Sequence, residues 1–151
     1  MLLVYFTAYG WSNICMLHWM DMSKKVTRLY EQFQPEHYDL TLDIDRDAMS
    51  FTGTVVIKGK KTGRPSERLT FHQKGLKITS ATITKHDKKG DQTLVVKRIN
   101  NQDSYDEVRL HTEDMAYPGD YTVALQFSGH INKDMHGIYP CYYEHDGIKK
   151  E

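Results

Sequence analysis

Tyr38-Asp39-Leu40-Thr41-Leu42-Asp43-Ile44-Asp45 alternates apolar and polar residues without a break. Successive side chains of a strand point to opposite faces, so this stretch offers one apolar and one acidic face. It predicts a half-buried antiparallel strand running from His37. Asp47 and Ala48 read as a turn. Phe51, Gly53, Val55 and Ile57 then alternate again, with Thr52 and Thr54 pointing outward.

The same period of two continues downstream. Gly63-Arg64-Pro65-Ser66 is a turn cluster, and Leu69 with Phe71 marks a short third strand. Lys74-Gly75 turns the chain into Leu76 and Ile78, after which Ala81 and Ile83 continue on the opposite parity. A parity switch at Thr79-Ser80 predicts a bulge. Asp87 to Asp91 is a charged turn around Gly90. Leu94-Val95-Val96 is read as opening a strand that ends at Ile99, and Asn100 to Ser104 as a polar loop. Val108 and Leu110 mark another short strand. Tyr117-Pro118-Gly119-Asp120 places Pro and Gly as a type II turn wants. Tyr121, Val123, Leu125 and Phe127 then alternate, Gly129 relaxes the strand end, and Ile138 to Tyr143 reads as an extended aromatic tail. About eight strands with no amphipathic helix between them predict an all-β fold, an antiparallel two-sheet sandwich or open barrel-like double sheet. They exclude a βαβ arrangement.

Upstream the pattern changes. Val26, Leu29, Tyr30 and Phe33 stand at helical spacing, and Pro35 blocks continuation, so Ser23 to Phe33 is either a short helix or a lead-in arm. Residues 1–22 hold both tryptophans, four of the seven methionines and no Lys or Arg. They lack the basic start of a secretory signal, and Gly10, Ser12 and Asn13 interrupt the apolar run that a signal or a membrane span needs. A membrane role is not expected. Translation could instead begin naturally at Met22, leaving an upstream extension. The expected organisation is therefore an extension of doubtful origin at 1–22, an arm or short helix at 23–35, and a β-domain at 36–151.

The chain has 151 residues, 26% charged and 39% hydrophobic, an ordinary globular balance for one domain. Lys and Arg number 20, as do Asp and Glu, so the formal net charge is zero. Nucleic-acid binders carry a basic excess, and that class is excluded. The runs Lys58-Gly59-Lys60-Lys61 and Lys85 to Lys89 read as solvated edges or turns. Two cysteines, Cys15 and Cys141, do not make a disulfide scaffold; free thiols in a reducing cytosol, and so a cytoplasmic protein, are the expectation.

The chain holds eight histidines, His18, His37, His72, His86, His111, His130, His136 and His145. No H-E-x-x-H occurs, and His130 with His136 is the nearest pair, so satisfied or exposed histidines are expected rather than a zinc site. Neither a nucleophile elbow nor a phosphate loop is present. Asp43, Asp45 and Asp47 follow the D-x-D-x-D spacing of a calcium loop, but Ala48 and Met49 stand where Gly is required and no Glu closes it. No catalytic, cofactor-binding or metal-ligating residue is assigned. Tyr139, Tyr142 and Tyr143, with His145, could line a sugar or peptide site; an interface with a missing partner fits them better.

The order of short patterns carries more. Pro35-Glu36-His37-Tyr38-Asp39-Leu40-Thr41-Leu42 resembles the P-x-H-Y-x-L-x-L start of zinc aminopeptidases of the aminopeptidase N type, the gluzincins. Phe51-Thr52-Gly53-Thr54-Val55 is similar to their F-x-G-x-V strand. Leu69-Thr70-Phe71-His72 with Leu76-Lys77-Ile78 resembles L-x-x-H-x-x-x-L-x-I, and Tyr121 to Gly129 resembles Y-x-L-x-I-x-F-x-G. Met135-His136-Gly137-Ile138-Tyr139, with Tyr143 and Gly147, is similar to the G-x-Y-x-S-x-Y landmark, departing at Cys141. The resemblance covers residues 29 to 151. It implies a saddle-like β-domain that packs on a thermolysin-like catalytic domain, which carries the G-A-M-E-N and H-E-x-x-H motifs, the zinc and the peptide substrate. Neither motif occurs here, and the family's amine-holding Gln or Glu falls beyond residue 151. The resemblance therefore implies a truncated, non-catalytic N-terminal domain with no zinc of its own, inactive alone. The alternative is a stand-alone β-sandwich that binds peptides or carbohydrates. Apolar surface around Ile138 to Tyr143 is expected to drive some self-association.

Overall fold

The computed structural model describes residues 28–88, 90–133, 138–145 and 148–150. Ten strands follow in chain order: β1 Phe33–Asp45, β2 Ser50–Lys61, β3 Ser66–His72, β4 Lys77–Asp87, β5 Gly90–Leu94, β6 Val96–Gln102, β7 Glu107–Ala116, β8 Gly119–His130, β9 Tyr143–His145 and β10 Ile148–Lys150. A five-stranded sheet runs β1-β2-β8-β4-β5, a three-stranded sheet β3-β7-β6, and β9 pairs with β10 as a ribbon. Every pairing is antiparallel. The fold is the all-β two-sheet sandwich that the alternation predicts.

The core lies where the smaller sheet covers the larger. Ile57, Ile83, Val123 and Leu125 of the five-stranded sheet pack with Leu69, Val108 and Leu110 of the three-stranded one. Ile83, Leu110 and Val123 are fully buried. Phe33 and Phe71 meet edge to face across the layers, centroids 5.3 Å apart. Such a pair adds roughly 0.5–1.5 kcal/mol beyond its burial. Lys61 is also buried, and its Nζ donates to the carbonyls of Arg64 at 2.7 Å and Thr62 at 3.3 Å. Burial holds its pKa below the usual lysine value.

The bulge expected at Thr79-Ser80 is present as a register shift between Ile78 and Ser80 against β8. Three local expectations are corrected. First, β1 begins at Phe33 rather than His37, and Pro35 pairs with Gly59. Proline is tolerated there because β1 is an end strand and a bulge between Pro35 and His37 removes the need for its missing N–H. Second, Leu94 to Ile99 is not one strand. Leu94 ends β5 in the larger sheet, and Val96 begins β6 in the smaller. Third, the strand around Val108 and Leu110 is long, reaching Ala116. The described part of the lead-in is a single 3-10 turn, Leu29–Glu31; residues 1–27 lie outside the described residues.

Candidate functional site

The alternation of Tyr38, Leu40, Leu42 and Ile44 places all four on the inner face of β1, yet that face is not half-buried as expected. Leu40 is 56% exposed and Ile44 48%. The larger sheet overhangs the smaller one, so nothing described closes over this end.

Register builds the overhang row by row. Leu40 pairs with Val55, which pairs with Leu125; Leu42 pairs with Gly53, then Phe127; Ile44 pairs with Phe51, then Gly129. Large rings face glycines in turn: a Cβ on Gly129 would stand 2.4 Å from the Phe51 ring, and one on Gly53 would stand 2.7 Å from Phe127. The rings of Phe51 and Phe127 meet edge to face at 6.4 Å. The result is an apolar hollow of about 550 Å³, walled on the far side by Phe71 and Leu76 and bounded by Leu29, Tyr30 and Ile138. Soluble proteins seldom leave such a surface open without a binding role. Gln73 is buried at the hollow's wall, with its side-chain oxygen and backbone N–H both bonded within the fold. Its Oε1 accepts from the Leu76 N–H at 3.0 Å, and its own N–H donates to the Asp106 carbonyl. The hollow can bind apolar surface, and among the described residues lining it none is Asp, Glu or Cys.

The described histidines do not gather into a metal-holding group. His37, His72, His86 and His130 are exposed on β1, β3, β4 and β8, and His111 is partly covered on β7. His18 and His136 lie outside the described residues. Among the described residues no group of three His, Cys, Asp or Glu could hold a metal ion. Asp45 is committed to its own turn, its Oδ1 accepting from the Ala48 N–H at 2.9 Å. The described tyrosines of the tail, Tyr139, Tyr142 and Tyr143, are exposed, as is the free thiol of Cys141. Cys15 lies outside the described residues.

One polar cluster escaped the sequence reading. His86 Nδ1 lies 2.8 Å from Asp91 Oδ1, and its Nε2 lies 2.7 Å from Thr122 Oγ1, tying β5, β4 and β8 together. Only cross-strand register reveals it, because the residues are 5 and 36 apart in sequence. His111 has its pKa pushed down, first by burial and then by the charges of Arg98, Arg68 and Arg109, with Glu67 opposing.

Residues 34–151 match the Peptidase M1 N-terminal domain. Aminopeptidase N of Lactobacillus delbrueckii subsp. lactis is 34% identical over 126 residues, covering 83% of this chain and 13% of that protein. Aminopeptidase N of Lactococcus lactis subsp. lactis is 35% identical over 130 residues, covering 86% and 14%. Aminopeptidase A of Gloydius brevicauda is 28% identical over 123 residues, covering 82% and 13%. The chain thus spans about one seventh of these relatives' length.

Proposed function

The chain belongs to the Peptidase M1 family, as its N-terminal domain, and on that premise we propose that it is the non-catalytic β-domain of a zinc aminopeptidase that trims N-terminal residues from peptides. The match over residues 34–151 carries this reading, with the printed names of the relatives behind it. Among the described residues no three donors converge where a zinc ion could be held. Zinc, in this reading, belongs to a thermolysin-like catalytic domain that this chain supports and whose cleft it borders. The exposed tail from Ile138 to Tyr143 supplies apolar and hydroxyl-bearing surface for that contact. In this reading the β-domain begins with β1 at Phe33, and the residues before it are a lead-in. Among the described residues no helix is long and apolar enough to cross a membrane. We place the protein in the cytoplasm, where its two cysteines would stay reduced.

The test has two arms. The purified chain with added zinc should leave amino-acid amides uncleaved, and residues 34–151 grafted in place of the matched segment of the Lactococcus aminopeptidase N should sustain chelator-sensitive cleavage. Chelator-sensitive cleavage by the chain alone would overturn the reading, as would a folded but inactive graft. A stand-alone peptide- or carbohydrate-binding module draws only on the exposed tyrosines. It would gain ground if the graft failed and the isolated chain bound such ligands through Tyr142 and Tyr143.

A further inference from the structure

β1 is the end strand of its sheet, hydrogen-bonded to β2 on one side and to no strand among the described residues on the other. From Tyr38 to Ile44 its outward amides and carbonyls form an open edge directly beside the apolar overhang. An exposed edge next to an apolar face is a template for an added strand: backbone bonds supply affinity, and the face takes every second side chain.

The charge pattern discriminates among occupants. A second copy adding its own β1 would set Asp39, Asp43 and Asp45 beside the same carboxylates on the same face. Like charges opposed across strands destabilise pairing. The occupant should therefore be largely apolar and carry few acids.

Such a segment is in the chain. Met1 to Met22 contains both tryptophans, is rich in Leu, Met and aromatic residues, and carries Asp21 as its single charge. The turn that follows delivers it to the right place. Leu29 and Tyr30 line the hollow. The turn is pinned there by Thr62, whose Oγ1 donates to the Glu31 carbonyl at 2.8 Å and whose N–H donates to the Gln32 carbonyl at 2.9 Å. Chain arriving at this point alongside β1 runs antiparallel to it, as in a hairpin. Reach is ample: Tyr38 to Ile44 spans roughly 20 Å at strand rise, whereas residues 1–27 could extend to about 90 Å.

We propose that the apolar N-terminal segment, Met1–Met22, folds back across the overhang and pairs with the open edge of β1, so that the chain covers its own exposed face. This occupant does not depend on the aminopeptidase reading.

Trp11 and Trp19 are the chain's two tryptophans, so tryptophan emission reports on this segment alone. In the full chain the emission should be blue-shifted relative to a free tryptophan amide and independent of protein concentration. Leu42→Asp and Ile44→Asp, at positions 38% and 48% exposed, should each shift it to the red while circular dichroism stays unchanged. Hydrogen exchange should show the outward amides of Tyr38 to Ile44 protected in the full chain and unprotected in both variants. Several outcomes would overturn the proposal. Emission could already resemble solvent-exposed tryptophan, or the blue shift could persist in both variants. It could also grow with protein concentration, or arise only on adding lipid vesicles. Unprotected edge amides in the unaltered chain would overturn it even if a variant failed to fold.

Discussion

The hydroxyl of Tyr121 donates to the carbonyl oxygen of Tyr117 at 2.7 Å and so closes the β7–β8 connection from within the core. Tyr121 is 1% exposed, and burial, with Asp87 adding to it, pushes its phenol up to about 12. Tyr121→Phe would strand that carbonyl and should lower the unfolding free energy by about 1 kcal/mol. The folded pKa is raised, so keeping the phenol neutral stabilises fully below the ordinary value of 10.0 and fades as pH climbs towards about 12. Denaturant midpoints should show the variant's deficit shrinking across that window. A deficit that is constant with pH would count against this account.

Gly59 faces Pro35 across the β1 bulge with almost no space between the backbones. A Cβ there would stand 2.4 Å from the Gln34 carbonyl oxygen and 2.8 Å from the Pro35 Cα. Backbone cannot step aside as a flexible side chain can, so Gly59→Ala should destabilise by about 1–3 kcal/mol. Thermal unfolding reads this directly; an unchanged melting temperature would show that the bulge yields freely.

His111 predicts a trend on the acid side. Its folded pKa lies below the ordinary 6.5, so the unfolded chain binds the proton more readily. Stability is unaffected well above that value and falls as pH drops below it, until the folded-state histidine protonates as well. His111→Gln should flatten the decline in urea midpoint as pH falls below about 6.5. An identical slope in the variant would place the acid sensitivity elsewhere.

Local pattern revealed much of this fold because a strand's period is set by its own backbone. Tyr121 to Phe127 and Phe51 to Ile57 could be assigned by parity alone, and the switch at Thr79-Ser80 revealed its bulge. Parity is silent about which sheet a strand joins, so Leu94-Val95-Val96 read as one run. Pro35 misled because only an end strand spares the proline its missing hydrogen bond, and strand order is not written in the period. The face of β1 was legible, but not that it would stay open, since coverage depends on how far the smaller sheet extends. His86, Asp91 and Thr122 meet only through the pairing of three strands.

Leu94 and Val96 stand one residue apart yet belong to opposite layers. Even the crossing residue is held, the Val95 carbonyl accepting from the Glu113 N–H at 2.8 Å. Four connections cross between the layers, β2 to β3, β3 to β4, β5 to β6 and β7 to β8, and the one through Val95 is the shortest. When the molecule breathes, it should fray first at the far end of β1, where Leu40, Leu42 and Ile44 are exposed, while the margin at Val95 holds.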